Sequence, residues 1–437
     1  MPTLDELPED HPLKNDRAKR RALATVAFTL FLDLAGFGII LPILPYYAES
    51  MNASETTVAL LSTAFSAAQF LMAPVLGRIS DRHGRRPVML LSIAGSMLAA
   101  LVLGFAGALW LVFVARIVAG SSKANVSTAH AYVADLIAPD QRAKYMGMMG
   151  AAMGMGFVFG PAIGGLLAVD ALPELPFFVS AALSLCNLIM AAIWLPETHF
   201  HRGPQPGETQ PSSTMVGVSA LRRAVTEIRG TTMAWLVAIT FCFYLSFAGM
   251  ESTLALLSER LFEWGGRETG LFMTFIGVNM VVFQGLVVGR AVARLGETRV
   301  LALGLLMLAF GMSLLGSVDR LVDWLGLPLT AAGGGASGWS LLLYGIGGSL
   351  MAGGNGLTSS AVSALVSRVS GPEQQGWNMG IKESAASLAR VGGPTIAGPL
   401  FQHVDPGAPM LAGGVIALIN FKIALALRRR LRHEDHA

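Results

Sequence analysis

Residues 77–86 read GRISDRHGRR, and 212 positions later residues 289–298 read GRAVARLGET. Gly77, Arg78, Arg82 and Gly84 recur as Gly289, Arg290, Arg294 and Gly296. Each copy is a short basic break between long apolar runs, so the chain reads as a duplicated unit. A second match, at offset 233, pairs Pro139, Gln141, Met146, Gly147, Gly160, Pro161 and Gly165 with Pro372, Gln374, Met379, Gly380, Gly393, Pro394 and Gly398. The offset grows by 21, the length of segment 318–338 (VDRLVDWLGLPLTAAGGGASG), where the first half has a tight turn near Ala108.

Composition sets the solvent for these runs. Of 437 residues 59 are charged, or 14%, where a soluble domain carries roughly 25%. Hydrophobic residues make up 53% and the mean hydropathy is +0.58. These values exclude a disordered chain, a coiled coil and an ordinary soluble enzyme. The two cysteines, Cys186 and Cys242, lie in apolar runs and offer neither a disulfide framework nor a cysteine metal site. A net charge of +3 without a basic stripe gives no nucleic-acid footprint.

A spanning helix needs about 20 mostly apolar residues, and twelve such runs can be placed: 22–48, 57–79, 87–106, 109–135, 144–168, 175–195, 232–258, 268–290, 298–317, 339–366, 374–400 and 409–427. They define an all-α membrane protein with an N-terminal tail (1–21), a six-helix bundle (22–195), a Pro/Gly/Ser-rich linker ending in a short amphipathic helix (196–231), a second bundle (232–427) and a C-terminal tail (428–437). The first run lacks a small-residue cleavage site, so it reads as a retained span. Of the 31 basic residues, 23 fall on the side that holds both termini and the linker, against three on the other (Arg260, Arg267 and Arg320). The positive-inside rule therefore places both termini in the cytoplasm.

A charge inside the bilayer costs roughly 2.5–3.5 kcal/mol on insertion scales, so each is a functional candidate. Eight lie within the spans away from their ends: Asp33, Arg116, Lys123, Glu251, Lys382, Glu383, Arg390 and Lys422. On span 4, Arg116, Gly120, Lys123, Ser127 and His130 step by four and three and are expected on one helical face. Asp33 is the first candidate for a proton site, with Arg116 as a fixed positive partner and Glu251 as a second proton or substrate group. A static ion pair of Asp33 with Arg116 or Lys123 is the competing expectation. Glu383 and Arg390 share a face and are expected as an internal pair or as ligand contacts, while Lys422 is expected to snorkel.

The motifs together resemble the major facilitator superfamily, and within it the twelve-span drug/proton antiporters, nearest the tetracycline/proton antiporter-like group. GRISDRHGRR resembles the superfamily's loop 2–3 motif. RIVAG (116–120) resembles its span 4 motif, and GMMGAAMGMGFVFGPAIGG (147–165) the span 5 motif of antiporters. DLAGFGIILPILP (33–45) and LPET (195–198) also look like this group.

The resemblance implies two pseudo-symmetric six-helix bundles with spans 1, 4, 7 and 10 lining a central cavity. It implies a gate at Gly77, Asp81, Arg82, Gly84, Arg85 and Arg86, and an antiporter helix with Gly147, Gly156, Gly160, Pro161, Gly164 and Gly165 at the seam between the halves. It also points to Asp33 as the proton site. Candidate cavity residues are Gln69, Lys123, Asn125, His130, Tyr244, Phe247, Glu251, Asn279, Asn355, Glu383 and Arg390.

The group's tetracycline exporters have small or neutral residues at the positions of Lys123 and His130, and an acidic residue in span 9 where this chain has Leu308. The expected function is proton-coupled export of small amphiphiles, with an anionic or zwitterionic group favoured. The expected setting is a monomer in a bacterial inner membrane, with no cofactor and no metal. Uniport or symport of a metabolite or lysolipid is the alternative. No His-x-x-x-His, Cys pair or Gly-x-Ser-x-Gly elbow supports an enzyme.

Overall fold

The computed structural model describes residues 16–123, 125–137, 139–169, 171–198, 231–331, 335–370 and 375–434. Most of the expected N-terminal tail and linker, and the end of the C-terminal tail, lie outside the described residues. Apart from one isolated bridge between Thr330 and Ala336, the regular structure described is helical.

The first half builds α1 (Asp16–Ile40), α2 (Leu44–Glu49), α3 (Glu55–His83), α4 (Arg85–Gly104), α5 (Leu109–Ser121), α6 (Asn125–Leu136), α7 (Pro139–Leu167) and α8 (Leu175–Trp194). The second builds α9 (Thr232–Phe262), α10 (Gly266–Val282), a π-helical turn (Phe283–Val287), α11 (Val288–Leu295), α12 (Glu297–Leu315), α13 (Val318–Trp324), α14 (Gly338–Val369), α15 (Gln375–His403) and α16 (Ala408–Glu434). Among the described residues ten helical stretches are long and apolar enough to cross a membrane. Helices α14 and α15, at the places expected for spans 10 and 11, are 32 and 29 residues long but fall outside that set; α15 carries Lys382, Glu383 and Arg390. The extra segment of the second half contains α13 and the Thr330–Ala336 bridge.

The chain forms two compact units. One gathers the described residues up to Tyr47 together with Ala67 through Thr198; the other gathers Ala48–Ser66 and the described residues from Thr231 onward. The 22–195 bundle read from the sequence thus cedes 48–66. The reason is steric and polar: Gly398 of α15 leaves room for Ala59 and Thr56, and Thr63 Oγ1 lies 3.1 Å from Thr395 Oγ1.

Each unit has its own core. In the first, Leu23, Val26 and Leu30 of α1 meet Met89, Tyr132, Val133 and Met149. In the second, Leu236 and Ile239 meet Val300, Leu301, Leu305, Leu357, Leu365 and Leu427. Large apolar side chains such as Trp110, Leu166, Ile193 and Phe310 remain exposed, each above 60%, as a lipid-facing surface requires.

The duplication is visible in the backbone. Gly84 and Gly296 each precede a helix with positive φ, at 103° and 79°, and ψ of 162° and 157°. Only glycine adopts such angles at no cost, which explains why the repeat retains these two residues where Arg85 and Arg86 give way to Glu297 and Thr298.

Candidate functional site

The Asp33 carboxylate is buried on α1, 7% exposed, and its Oδ2 accepts a hydrogen bond from Lys123 Nζ at 2.7 Å. Ser96 Oγ donates to Oδ1 at 3.4 Å. Arg116, expected as the fixed positive partner of Asp33, lies with its guanidinium carbon 5.9 Å from the centre of the Phe37 ring. The same ring has Lys123 Nζ at 5.4 Å, so two cations and one carboxylate gather around Phe37.

Span 4 is not one continuous helix. Helix α5 ends at Ser121 and α6 starts at Asn125. Ser122 Oγ donates to Val118 O at 2.8 Å, and the Ser122 and Lys123 amides close tight turns on Val118, Ala119 and Gly120. Serine hydroxyls that bond their own backbone, beside a glycine, are a common cause of such breaks. The single polar face expected for Arg116, Gly120, Lys123, Ser127 and His130 is therefore divided. Arg116 and Gly120 are buried and Lys123 reaches Asp33, whereas Ser127 and His130 are exposed. Asn125, directly after the break, is 1% exposed, with neither side-chain polar atom hydrogen-bonded.

The loop motif forms a second polar centre. Arg85 bridges two acids: Nη1 donates to Asp81 Oδ1 at 2.6 Å and Nε to Asp135 Oδ2 at 3.1 Å. Glu197 of LPET crowns the start of α4, where Oε1 accepts from Arg85 N at 2.9 Å and Oε2 from Arg86 N at 3.1 Å. A carboxylate on the free amides of a helix N-terminus is favourable through both hydrogen bonding and the helix dipole. A Cβ on Gly84 would collide with that carboxyl. Tyr132 Oη donates to Pro196 O at 2.9 Å and steadies the LPET segment, while Arg86 Nη2 donates to Ala192 O at 2.7 Å. Of the six expected gate residues, Asp81, Gly84, Arg85 and Arg86 converge; Gly77 faces open space and Arg82 is exposed. The sequence reading assigned no role to Asp135 or Glu197. The signal available was an acid closing an apolar run, Asp135 after span 4 and Glu197 after span 6.

Gly156, Gly160 and Gly164 of the antiporter-helix motif face α1. A Cβ on Gly156 would meet Leu34 and Phe31 O, one on Gly160 would meet Ala35 O and Gly38, and one on Gly164 would run into the Ile39 backbone. Pro161 and Gly165 are buried beside them, while Gly147 is exposed. The second unit repeats this crossing, with Gly393 of α15 against Gly249 of α9.

In that unit the expected Glu383–Arg390 pair is not formed. Glu383 Oε1 binds Lys382 Nζ at 2.8 Å, and Lys382 also donates to Ser363 Oγ at 3.0 Å. Arg390 stacks over the Tyr244 ring at 4.3 Å, beside Phe243, whose ring centre lies 4.8 Å from that of Tyr244 and 6.4 Å from that of Phe247. Asn279 Nδ2 is spent on Phe275 O of its own helix at 2.8 Å. Asn355 is buried, Glu251 and Gln69 are half-buried, and Leu308 is fully buried in α12.

The Major Facilitator Superfamily profile matches residues 26–353. The class C tetracycline resistance protein of Escherichia coli is 31% identical over 386 residues, 87% of this chain and 89% of that one. Human major facilitator superfamily domain-containing protein 10 is 28% identical over 431 residues, 89% of each. The crystal structure of the human organic anion transporter MFSD10 matches with a TM-score of 0.68 and 26% identity, covering 93% of this chain and 99% of that chain. The repeated glycine crossings, the Arg85 bridge and these matches have one explanation: the chain is a multi-pass membrane transporter of small molecules, not an enzyme, and it belongs to the major facilitator superfamily.

Proposed function

We propose that this transporter exports small amphiphilic organic compounds in exchange for protons, by alternating access, with Asp33 as the proton-carrying group. The observation that carries this reading is the buried Asp33 carboxylate held 2.7 Å from Lys123 at the break in span 4. Such a carboxylate can exchange a lysine for a proton, and broken helices mark coupling sites in transporters. Similarity to tetracycline resistance proteins supports the drug class, and Leu308 argues for a substrate other than a metal-chelated tetracycline. The bridge of Asp81, Arg85 and Asp135, crowned by Glu197, serves as the gate. The basic residues favour cytoplasmic termini in a bacterial inner membrane, and the protein acts as a monomer. Reconstitution in liposomes with an imposed pH gradient and a panel of labelled amphiphiles tests this. Gradient-driven movement is expected in the wild type and lost in Asp33→Asn; movement that ignores the gradient and survives that change refutes it.

A second reading is uniport or symport of an anionic or zwitterionic metabolite or lysolipid. Arg390 favours it, being paired with no carboxylate among the described residues and stacked on Tyr244, as does similarity to a structure described as an organic anion transporter. Lys123 is already neutralised by Asp33, so the anion-selecting cation is Arg390. The same liposomes without a pH gradient separate the two readings.

A further inference from the structure

Helix α8 meets α1 through a polar seam. Asn187 of α8 donates Nδ2 to Thr29 O of α1 at 3.3 Å, and Ser180 Oγ donates to Gly36 O at 3.0 Å. The two helices therefore run antiparallel, with Asp33 on α1 between the two carbonyls that α8 holds. Ser184, between Ser180 and Asn187 on α8, is also buried, its hydroxyl 3.9 Å from where a Cβ on Gly36 would stand.

Two atoms of this seam are left over. A backbone carbonyl only accepts, so the amide nitrogen of Asn187 faces Thr29 O and its Oδ1 points elsewhere. Asn187 Oδ1 and Thr29 Oγ1 have no hydrogen-bond partner among the described residues, although the two side chains are 1% and 0% exposed. One accepts and the other donates or accepts, which suits a buried water, a molecule that takes roughly 2–4 such groups. Thr29 stands one turn before Asp33 on the same helical face, and side chains lean toward the start of their helix, so the Asp33 carboxyl leans over the turn of Thr29. Lys123 and Ser96 each engage one oxygen of that carboxylate, which has about four acceptor positions and so has room for water.

The second unit keeps the amide bond and drops the hydroxyls. Asn420, at the offset of 233 from Asn187, donates Nδ2 to Ile239 O at 2.9 Å. Ile239 follows Thr29 at the same interval as Leu245 follows Ala35, the two residues whose carbonyls meet Gly393 and Gly160. An asparagine on a neighbouring helix's carbonyl is thus a shared device that ties spans together. At the same intervals, however, Thr29, Asp33 and Ser184 are matched by Ile239, Phe243 and Ala417. Hydroxyls line the seam in the unit that has Asp33 and give way to apolar side chains in the unit that has Phe243, so helix packing alone does not account for them.

We propose that Thr29 Oγ1 and Asn187 Oδ1 bind a water molecule, and that this water relays the Asp33 proton toward the N-terminal end of α1. The proposal rests on Asp33 as the proton-carrying group. The water takes the carboxyl proton and gives one of its own to the Thr29 hydroxyl, which passes its proton on in turn. Asp33 is left as the carboxylate that Lys123 neutralises, and water and hydroxyl end unchanged. Thr25, one turn farther along and also buried, continues the row of hydroxyls; its Oγ1 donates to Arg21 O at 2.9 Å, where α1 becomes exposed and solvent receives the proton. The charged groups facing Asp33 are Lys123 and, beside the same Phe37 ring, Arg116. Residues 88–104 of α4, 148–167 of α7 and all of α8 carry no charge; on α6, His130 is exposed and Asp135 is held by Arg85, and Cys186 of α8 is exposed.

The test uses the full chain in lipid nanodiscs and needs no substrate. A density map that resolves ordered water should show one within about 3.2 Å of both Thr29 Oγ1 and Asn187 Oδ1; a map with water elsewhere but none there overturns the proposal. Infrared spectroscopy after a jump from acid to alkaline buffer reads the release itself: the protonated Asp33 carboxyl gives a band missing from Asp33→Asn, and its decay times the departure of the proton. Thr29→Val keeps the shape and the carbonyl that Asn187 holds. It should slow the decay about tenfold or more with an unchanged titration midpoint, and Thr29→Ser should restore the wild-type rate; Thr29→Ala replaces it if Thr29→Val does not fold. Asn420→Leu, which cuts the amide bond of the second unit, should lower the melting temperature and leave the decay as in the wild type. A Thr29→Val rate equal to the wild type, or an equal slowing by Asn420→Leu, overturns the relay while Asp33 stays a proton carrier. A wild type without the Asp33 band refutes the proton-carrying reading and the relay with it.

Discussion

Gly38 and Gly160 meet backbone to backbone where α1 crosses α7: a Cβ on Gly160 would stand 2.7 Å from the Gly38 Cα and from Ala35 O. No side chain can yield at that point, because both obstacles are main chain. Gly160→Ala is therefore expected to destabilise the protein by about 1–3 kcal/mol through overpacking. Gly147→Ala, on the same helix with open space around it, should be neutral or stabilising by up to about 1 kcal/mol from helix propensity. Thermal unfolding of both variants in detergent checks the contrast.

The Asp33–Lys123 pair is expected to be strongly coupled, since the two side chains are only 3% and 12% exposed. Removing one member strands a charge, at about 3–5 kcal/mol, whereas removing both relieves it. Asp33→Asn and Lys123→Met alone should each lower the melting temperature, and the double variant should recover most of the loss. Additive losses would deny the pairing. Gradient-driven transport should be lost in all three.

Arg85 should depend on Asp135 more than on Asp81. The Asp135 side chain is 10% exposed and that of Asp81 65%, so solvent screens the second contact and not the first. Asp81→Asn should cost under about 1 kcal/mol of stability. Asp135→Asn should cost about 3 kcal/mol or more. Denaturation of the two variants side by side gives the ranking.

Arg390→Ala should raise KM for an anionic amphiphile about tenfold or more and leave a cationic one of similar shape unchanged, because among the described residues its guanidinium has no acid of its own. Tyr244→Phe keeps the ring under the guanidinium, and with it a cation–π contact worth about 0.5–2 kcal/mol. It should therefore behave like the wild type, while Tyr244→Ala should follow Arg390→Ala. Concentration-dependent uptake with paired substrates separates these outcomes.

The tandem design was legible because its markers are local. Hydropathy over about 20 residues reports a span, and glycine at a positive-φ turn or a helix crossing is demanded by backbone geometry alone. Gly84 and Gly296 accordingly keep both their identity and their conformation across the repeat. The candidate partners were less legible. Spacing along span 4 put Ser127 and His130 on the face of Arg116, but the helix breaks after Ser121, and they are exposed where Arg116 is buried. Spacing along span 11 matched Glu383 with Arg390, yet Lys382 is nearer to one and Tyr244 to the other.

By itself, then, the sequence determined that this chain lives in a membrane, is built twice over, belongs with the major facilitators and carries Asp33 and the 77–86 motif as its chief polar assets. Tertiary structure decided which cation neutralises Asp33, that Asp135 and Glu197 complete the Arg85 centre, and that the span 5 glycines seat α1. The physical reason is range. Burial and backbone freedom are properties of a residue and its near neighbours, whereas an ion pair or a hydrogen bond is settled within about 3 Å, and how helices cross fixes which side chains come that close.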